Sequence, residues 1–262
     1  MHQDHGSWVF IFSPLLIGVF AGGDFSIASL FLVIACLAGF LIRQPVTMIV
    51  KIYSGRRGTH DLSDAYFWSI IYALIGGTAL AGLITYGYAF VLVLAIPGMA
   101  VFAWHLYLVS QRAERRQMGV EVIASGVLAL AAPAAYWVGV GMPERIGWLL
   151  WLLIWLQSAA SIVYAYLRLD QRELEQVPAL PVRLRMGLRA ILYTSFNLLL
   201  VLILSIYKIT PPLLPIPYTL QWVESIWGSL LPAVGVKPTR IGIRQLIVST
   251  LFTILFIVTW YL

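Results

Sequence analysis

The amino-acid sequence predicts an all-α protein, a polytopic transmembrane bundle of about nine helices. Three observations carry that expectation. Of the 262 residues 61% are hydrophobic and only 11% charged, a balance outside that of ordinary water-soluble domains. The apolar residues fall into blocks of about 20, the length a bilayer core demands. The basic residues gather in short stretches between alternate blocks, as the loops on one membrane face do.

The blocks run near 8–22, 26–50, 65–86, 88–110, 119–141, 146–168, 187–207, 214–235 and 243–262, and they form one integral membrane domain, 1–262. The opening MHQDHGSWVF lacks a basic n-region and a small-residue cleavage site, so the first block is expected to be a retained span. Tyr86-Gly87-Tyr88 joins the third and fourth spans so tightly that an antiparallel hairpin is expected there. PPLLPIP, from Pro211 to Pro217, interrupts the start of the eighth span and reads as a loop or broken turn. If PPLLPIPYTLQW lies along the surface, Glu224, near the outer end of that span, is interfacial; if the block spans, Glu224 lies within the membrane and reads as a functional group. No repeat of 20–50 residues is evident, and an odd number of spans does not divide into inverted halves. Ten Trp and thirteen Tyr suit two interfacial aromatic belts.

The net charge of +6 alone would be compatible with a nucleic-acid partner, but its distribution excludes that class. Fifteen of the seventeen Lys and Arg follow the second, fourth, sixth and eighth spans, leaving only Arg145 and Lys208 on the other face. The positive-inside rule then places the N-terminus in the cytoplasm and Leu262 outside. The single Cys36 lies among apolar residues and is expected to pack.

The candidate chemistry collects on the basic face. In LIRQPVTMIVK, Arg43, Thr47 and Lys51 recur every four residues and share a helix face, with Gln44 beside them. Arg43 sits about 12 Å below Lys51, at about 1.5 Å per residue, where an ionisable group is costly and reads as a site. After the fourth span, Arg112 and Arg116 lie on adjacent turns beyond His105. After the sixth, Tyr166, Asp170 and Glu173 form a stripe at i, i+4 and i+7. His5, before the first span, could titrate near neutral pH or contact a phosphate. Together these residues suggest a polar chamber for an anionic head group, because the Arg fork pairs bidentately with phosphate or carboxylate oxygens. The competing explanation is that basic loop residues set topology and touch anionic lipids whatever else the protein does. Four scattered His and one Cys give no metal-ligand spacing, so no metal site is expected.

Four segments carry a family resemblance: HGSWVFIFSPLLIG, LIRQPVTMIVK, QRAERRQMGVEVIASGVLAL and KPTRIGIRQ. The chain resembles the YwiC-like family of bacterial membrane proteins over most of its length. That resemblance implies a bacterial plasma (inner) membrane and supplies no mechanism. Nine spans with polar stretches after the second and sixth are also similar to the plan of the UbiA-type prenyltransferases. Those enzymes hold Mg²⁺ and a prenyl diphosphate with two Asp-rich motifs. Here RQPVTMIVK stands where the first motif is expected, with only Asp61 and Asp64 following, and the second survives in part as Asp170, Glu173 and Glu175. Mg²⁺ is implied only if that likeness extends to activity.

Three functional readings follow. The first is a binding protein for an amphiphilic anion: a prenyl diphosphate, a quinone or a lipid head group. The second is an accessory subunit of a larger membrane complex, respiratory or photosynthetic. The third is an enzyme of the prenyltransferase type. All three have the lipid bilayer as partner.

Overall fold

The structure, a computed structural model, describes residues 8–113 and 117–262, and among these every regular element is a helix. The helices are α1 (Val9–Gly22), α2 (Ile27–Tyr53), α3 (Leu62–Thr85), α4 (Ala95–Ser110), α5 (Met118–Ala129), α6 (Ala131–Val140), α7 (Arg145–Arg172), α8 (Leu180–Ile206), α9 (Pro215–Leu230) and α10 (Pro238–Tyr261). Short 3₁₀ turns precede α3 at Thr59–Asp61 and α4 at Ala89–Leu94. Among the described residues each of the nine expected blocks coincides with helix. Seven helical segments are long and apolar enough to cross a membrane, counting α5 and α6 as one and joining the 3₁₀ turns to α3 and α4. The other two, α1 with 14 residues and α9 with 16, span about 21 and 24 Å at 1.5 Å per residue, short of the roughly 30 Å hydrocarbon core.

Local chemistry explains most boundaries. Ser26 opens α2 with a reciprocal cap: its hydroxyl accepts from Ser29 N, and Ser29 Oγ accepts from Ser26 N. Pro133 has no N–H to offer the carbonyl of Ala129, which is where α5 ends and α6 begins. Pro181, Pro215 and Pro238 each stand in a first helical turn, where the missing donor costs nothing.

Two compact units are present, one comprising residues 18–148 and the other 1–17 with 149–262. In the 18–148 unit, α2 packs on α3, α4 and α6. Small residues allow close approach: a Cβ on Gly18 would strike the Ala132 carbonyl, and Gly22 meets Gly139 backbone to backbone. The Tyr86-Gly87-Tyr88 turn is present, with Gly87 at φ +88° and Tyr88 N bonded back to Leu83 O. The expected packed hairpin of α3 and α4 is not; the 3₁₀ turn intervenes, and α4 packs on α2 and α5 instead.

In the second unit, α8, α9 and α10 follow one another as antiparallel neighbours. Trp222 bonds Ser195 while Arg183 bonds Leu230 O, so residue numbers rise on α9 as they fall on α8. Along α7 and α9 they rise together, through Tyr218–Leu153, Gln221–Gln157, Tyr164–Glu224 and Arg168–Gly228. A surface-lying segment could not keep that register. Residues 211–214 form the expected turn and 215–217 the first turn of α9, and Glu224 lies in the second half of that helix, six residues from its end at Leu230.

Candidate functional site

On α2 the sequence-expected residues are placed on one continuous helix. Arg43, Thr47 and Lys51 are all half-buried, Gln44 is exposed, and the Arg43 guanidinium lies 5.2 Å from the centre of the Phe40 ring. Thr47 Oγ1 is buried and bonds to no protein group among the described residues. Threonines elsewhere in these helices, such as Thr194, Thr250 and Thr259, return the hydroxyl to the carbonyl four residues back. At the same end of this unit Arg56 reaches across to donate to Val109 O at 2.7 Å, closing the last turn of α4. Arg112, exposed and at φ +61°, is the left-handed residue that terminates α4, a position glycine usually takes. His5 and Arg116 lie outside the described residues.

The second unit holds a cluster that the sequence reading did not assemble. Gln157, Ser161, Tyr164, Arg168 and Gln171 recur along α7 at helical spacing, and each is at least nine-tenths buried. Asp170 and Glu173, on the opposite face of α7, are exposed. Arg168 Nη1 donates to Gly228 O at 2.8 Å, Leu231 O at 2.7 Å and Gln171 Oε1 at 2.9 Å. Gln171 Nε2 adds a bond to Gly228 O, and Arg183 donates to Leu230 O. These donors satisfy carbonyls that α9 cannot pair internally at its negative C-terminal end.

One turn deeper, Glu224 receives three charge-assisted or phenolic bonds. Arg244 engages it bidentately, Nε to Oε1 at 2.6 Å and Nη2 to Oε2 at 2.7 Å, while Tyr164 donates to Oε1 at 2.8 Å. The Glu224 side chain is 10% exposed and that of Arg244 45%. Trp227 faces both guanidinium groups, with Arg244 at 3.5 Å from its ring centre and Arg168 at 5.2 Å. Above this cluster α7, α9 and α10 enclose a cavity of about 20 Å³, bordered by Gln157, Ser161, Tyr164, Gln221, Glu224 and Gln245.

Among the described residues no three His, Cys, Asp or Glu side chains are grouped so as to hold a metal ion. The Mg²⁺ pair implied by the prenyltransferase likeness therefore finds no fitting donor set among them.

A family model described as YwiC-like protein matches residues 1–136. The chain belongs to the YwiC-like family. The match covers about half of the chain, less than the motifs suggested: it contains the α2 stripe and leaves KPTRIGIRQ, the α7 polar face and Glu224 outside. No curated protein and no solved structure matches the chain. As a YwiC-like protein it is a multi-pass, all-helical membrane protein whose family supplies no reaction.

Proposed function

We propose that this YwiC-like protein binds an amphiphilic anion at the Arg43–Thr47–Lys51 face of α2, on the cytoplasmic side of a bacterial inner membrane. The ligand class is a prenyl diphosphate, a quinone or an anionic lipid, with its polar head on the two cations and its tail in the apolar region. The observation that carries this reading is the Thr47 hydroxyl, buried between two cationic positions with no protein partner among the described residues. A buried hydroxyl left unpaired costs free energy, which an oxygen of a bound head group would recover. Arg43, held against Phe40, sets the deeper contact. Gln44 and Arg112 add donors towards the same end. The distribution of the basic loops supports an N-terminus in the cytoplasm and a C-terminus outside.

Native mass spectrometry of protein extracted gently from its own membrane tests the proposal. A bound mass matching an isoprenoid, quinone or anionic lipid is expected. It should be lost in Arg43→Ala and Lys51→Ala, and weakened in Thr47→Val, which keeps shape and removes the hydroxyl. Stoichiometric partner subunits with no retained small ligand would overturn it in favour of the accessory-subunit reading.

A further inference from the structure

The cavity between α7, α9 and α10 belongs to a different unit from the α2 face, and its chemistry is different. We propose that it is a binding site for one monovalent cation of about the size of sodium, held by Gln221 and Glu224, with Arg244 as a built-in competitor. The volume, about 20 Å³, admits one water-sized guest.

The orientation of the Gln221 amide decides the polarity. Its Nε2 donates to the Gln157 carbonyl at 3.0 Å, and turning the amide over would set two acceptors against each other. Oε1 is therefore the atom left over, and it accepts no hydrogen bond from any protein group among the described residues, on a side chain only 7% exposed. An anion has no place against such an atom. Glu224 carries three of the roughly four bonds a carboxylate can accept, leaving room for one more on the Oε2 side. Val248, Ser249 and Phe252 complete the border on α10. The lining thus offers carboxylate, amide and hydroxyl oxygens with a single negative charge, a hard donor set suited to a single positive charge.

Arg168 spends its hydrogen bonds on the carbonyls at the end of α9, so the groups that bond Glu224 directly are Arg244 and Tyr164. The Arg244 side chain is nearly half exposed and lies over Trp227, which can retain the guanidinium after its fork leaves the carboxylate. A cation entering the cavity takes the place of Arg244 beside Glu224 while the guanidinium stays on Trp227, so binding adds one positive charge. A buried carboxylate in a membrane-embedded helix pair is the kind of group that marks an ion path.

The test uses the full chain in detergent, with its thermal unfolding midpoint followed in sodium, potassium and choline chloride at one ionic strength. The wild type should be stabilised saturably by sodium over choline. Arg244→Gln, by removing the competitor, should lower the midpoint in choline yet reach half-effect at about tenfold less sodium, the shift expected when a competing buried charge pair is lost. Glu224→Gln should abolish the sodium response. If that variant does not fold, Gln221→Met, which leaves the ion pair intact, should still weaken the response severalfold. Identical midpoints in sodium and choline for both wild type and Arg244→Gln would overturn the proposal and assign the cavity to a bridging water.

Discussion

Replacing Arg168 with Met tests whether the C-terminal end of α9 is held by a side chain instead of by its own backbone. Met keeps the unbranched apolar stem of Arg but offers no donor. The change deletes three bonds from a charged group, to Gly228 O, Leu231 O and Gln171 Oε1, at a side chain that is 6% exposed. Bonds to charged groups contribute about 1.5–3 kcal/mol each in soluble proteins. Interhelical bonds measured within membranes average nearer 0.6 kcal/mol, because the unfolded chain in lipid also finds partners. The three together are then worth about 2–5 kcal/mol. Gln171 still caps Gly228 O, and Arg183 still reaches Leu230 O, so the helix end should loosen without the fold being lost. Reversible unfolding of the detergent-solubilised protein in graded denaturing detergent gives the loss, and hydrogen exchange at residues 225–231 locates it. Arg185→Met, at an exposed position, is the matched control and should change stability by no more than about 0.5 kcal/mol. An Arg168→Met loss as small as that control would refute the cap, whatever the geometry.

Two further predictions concern the other unit. Gly18→Ala should destabilise by about 1–3 kcal/mol, because its Cβ meets the Ala132 carbonyl and the Ala135 methyl. Gly77→Ala on α3 has nothing within 4 Å and should be neutral or stabilising by up to about 1 kcal/mol; thermal midpoints that fail to separate the pair would refute the packing argument. Tyr136→Phe removes a 2.9 Å bond to the Glu144 carboxylate while Trp137 Nε1 keeps its bond to the Glu144 carbonyl. A loss of about 1–2 kcal/mol is expected, without release of the 141–144 turn, and limited proteolysis at that turn checks the second part.

The helical passes were legible because a bilayer leaves few alternatives: an apolar block of the right length bounded by Ser, Gly or Pro becomes a helix. Ser26 and Gly87 mark their boundaries in the sequence as clearly as in the structure. The break at Leu130 is written in Pro133, yet a 23-residue apolar block conceals it. The start of α9 was ambiguous because a proline cluster can be a loop or a first turn, and here it is both, a turn over 211–214 and helix from 215. The polar face of α7 was also present in the sequence, as Gln157, Ser161, Tyr164, Arg168 and Gln171 at steps of four, three, four and three. The charged stripe on the opposite face, Tyr166, Asp170 and Glu173, was more conspicuous because it carries two carboxylates. Charge draws attention to solvated faces, whereas uncharged polar residues inside an apolar helix mark the face that has a partner. The pairing of Glu224 with Arg244, twenty residues apart on different helices, has no local signature at all.

The basic loops meet two physical demands at once. Helices that end at an Arg-rich face present unpaired carbonyls there and the negative end of their dipole, so a cation required for topology is also a ready cap. Arg56 on Val109, and Arg168 and Arg183 at the end of α9, serve in that second way. A count of basic residues therefore cannot separate topological from functional arginines, and neither can burial, since Arg168 is among the most buried polar groups of the chain. The partner separates them. Arg57 pairs with Asp61 at 2.7 Å on an exposed turn, where solvent reduces such a pair to between nothing and about 1 kcal/mol. Arg244 pairs with a carboxylate that is only 10% exposed and faces a cavity with an acceptor to spare. A guanidinium committed to a carbonyl is part of the scaffold. One committed to a nearly buried carboxylate can be exchanged for another cation, and that is the difference a sodium titration of Arg244→Gln would read.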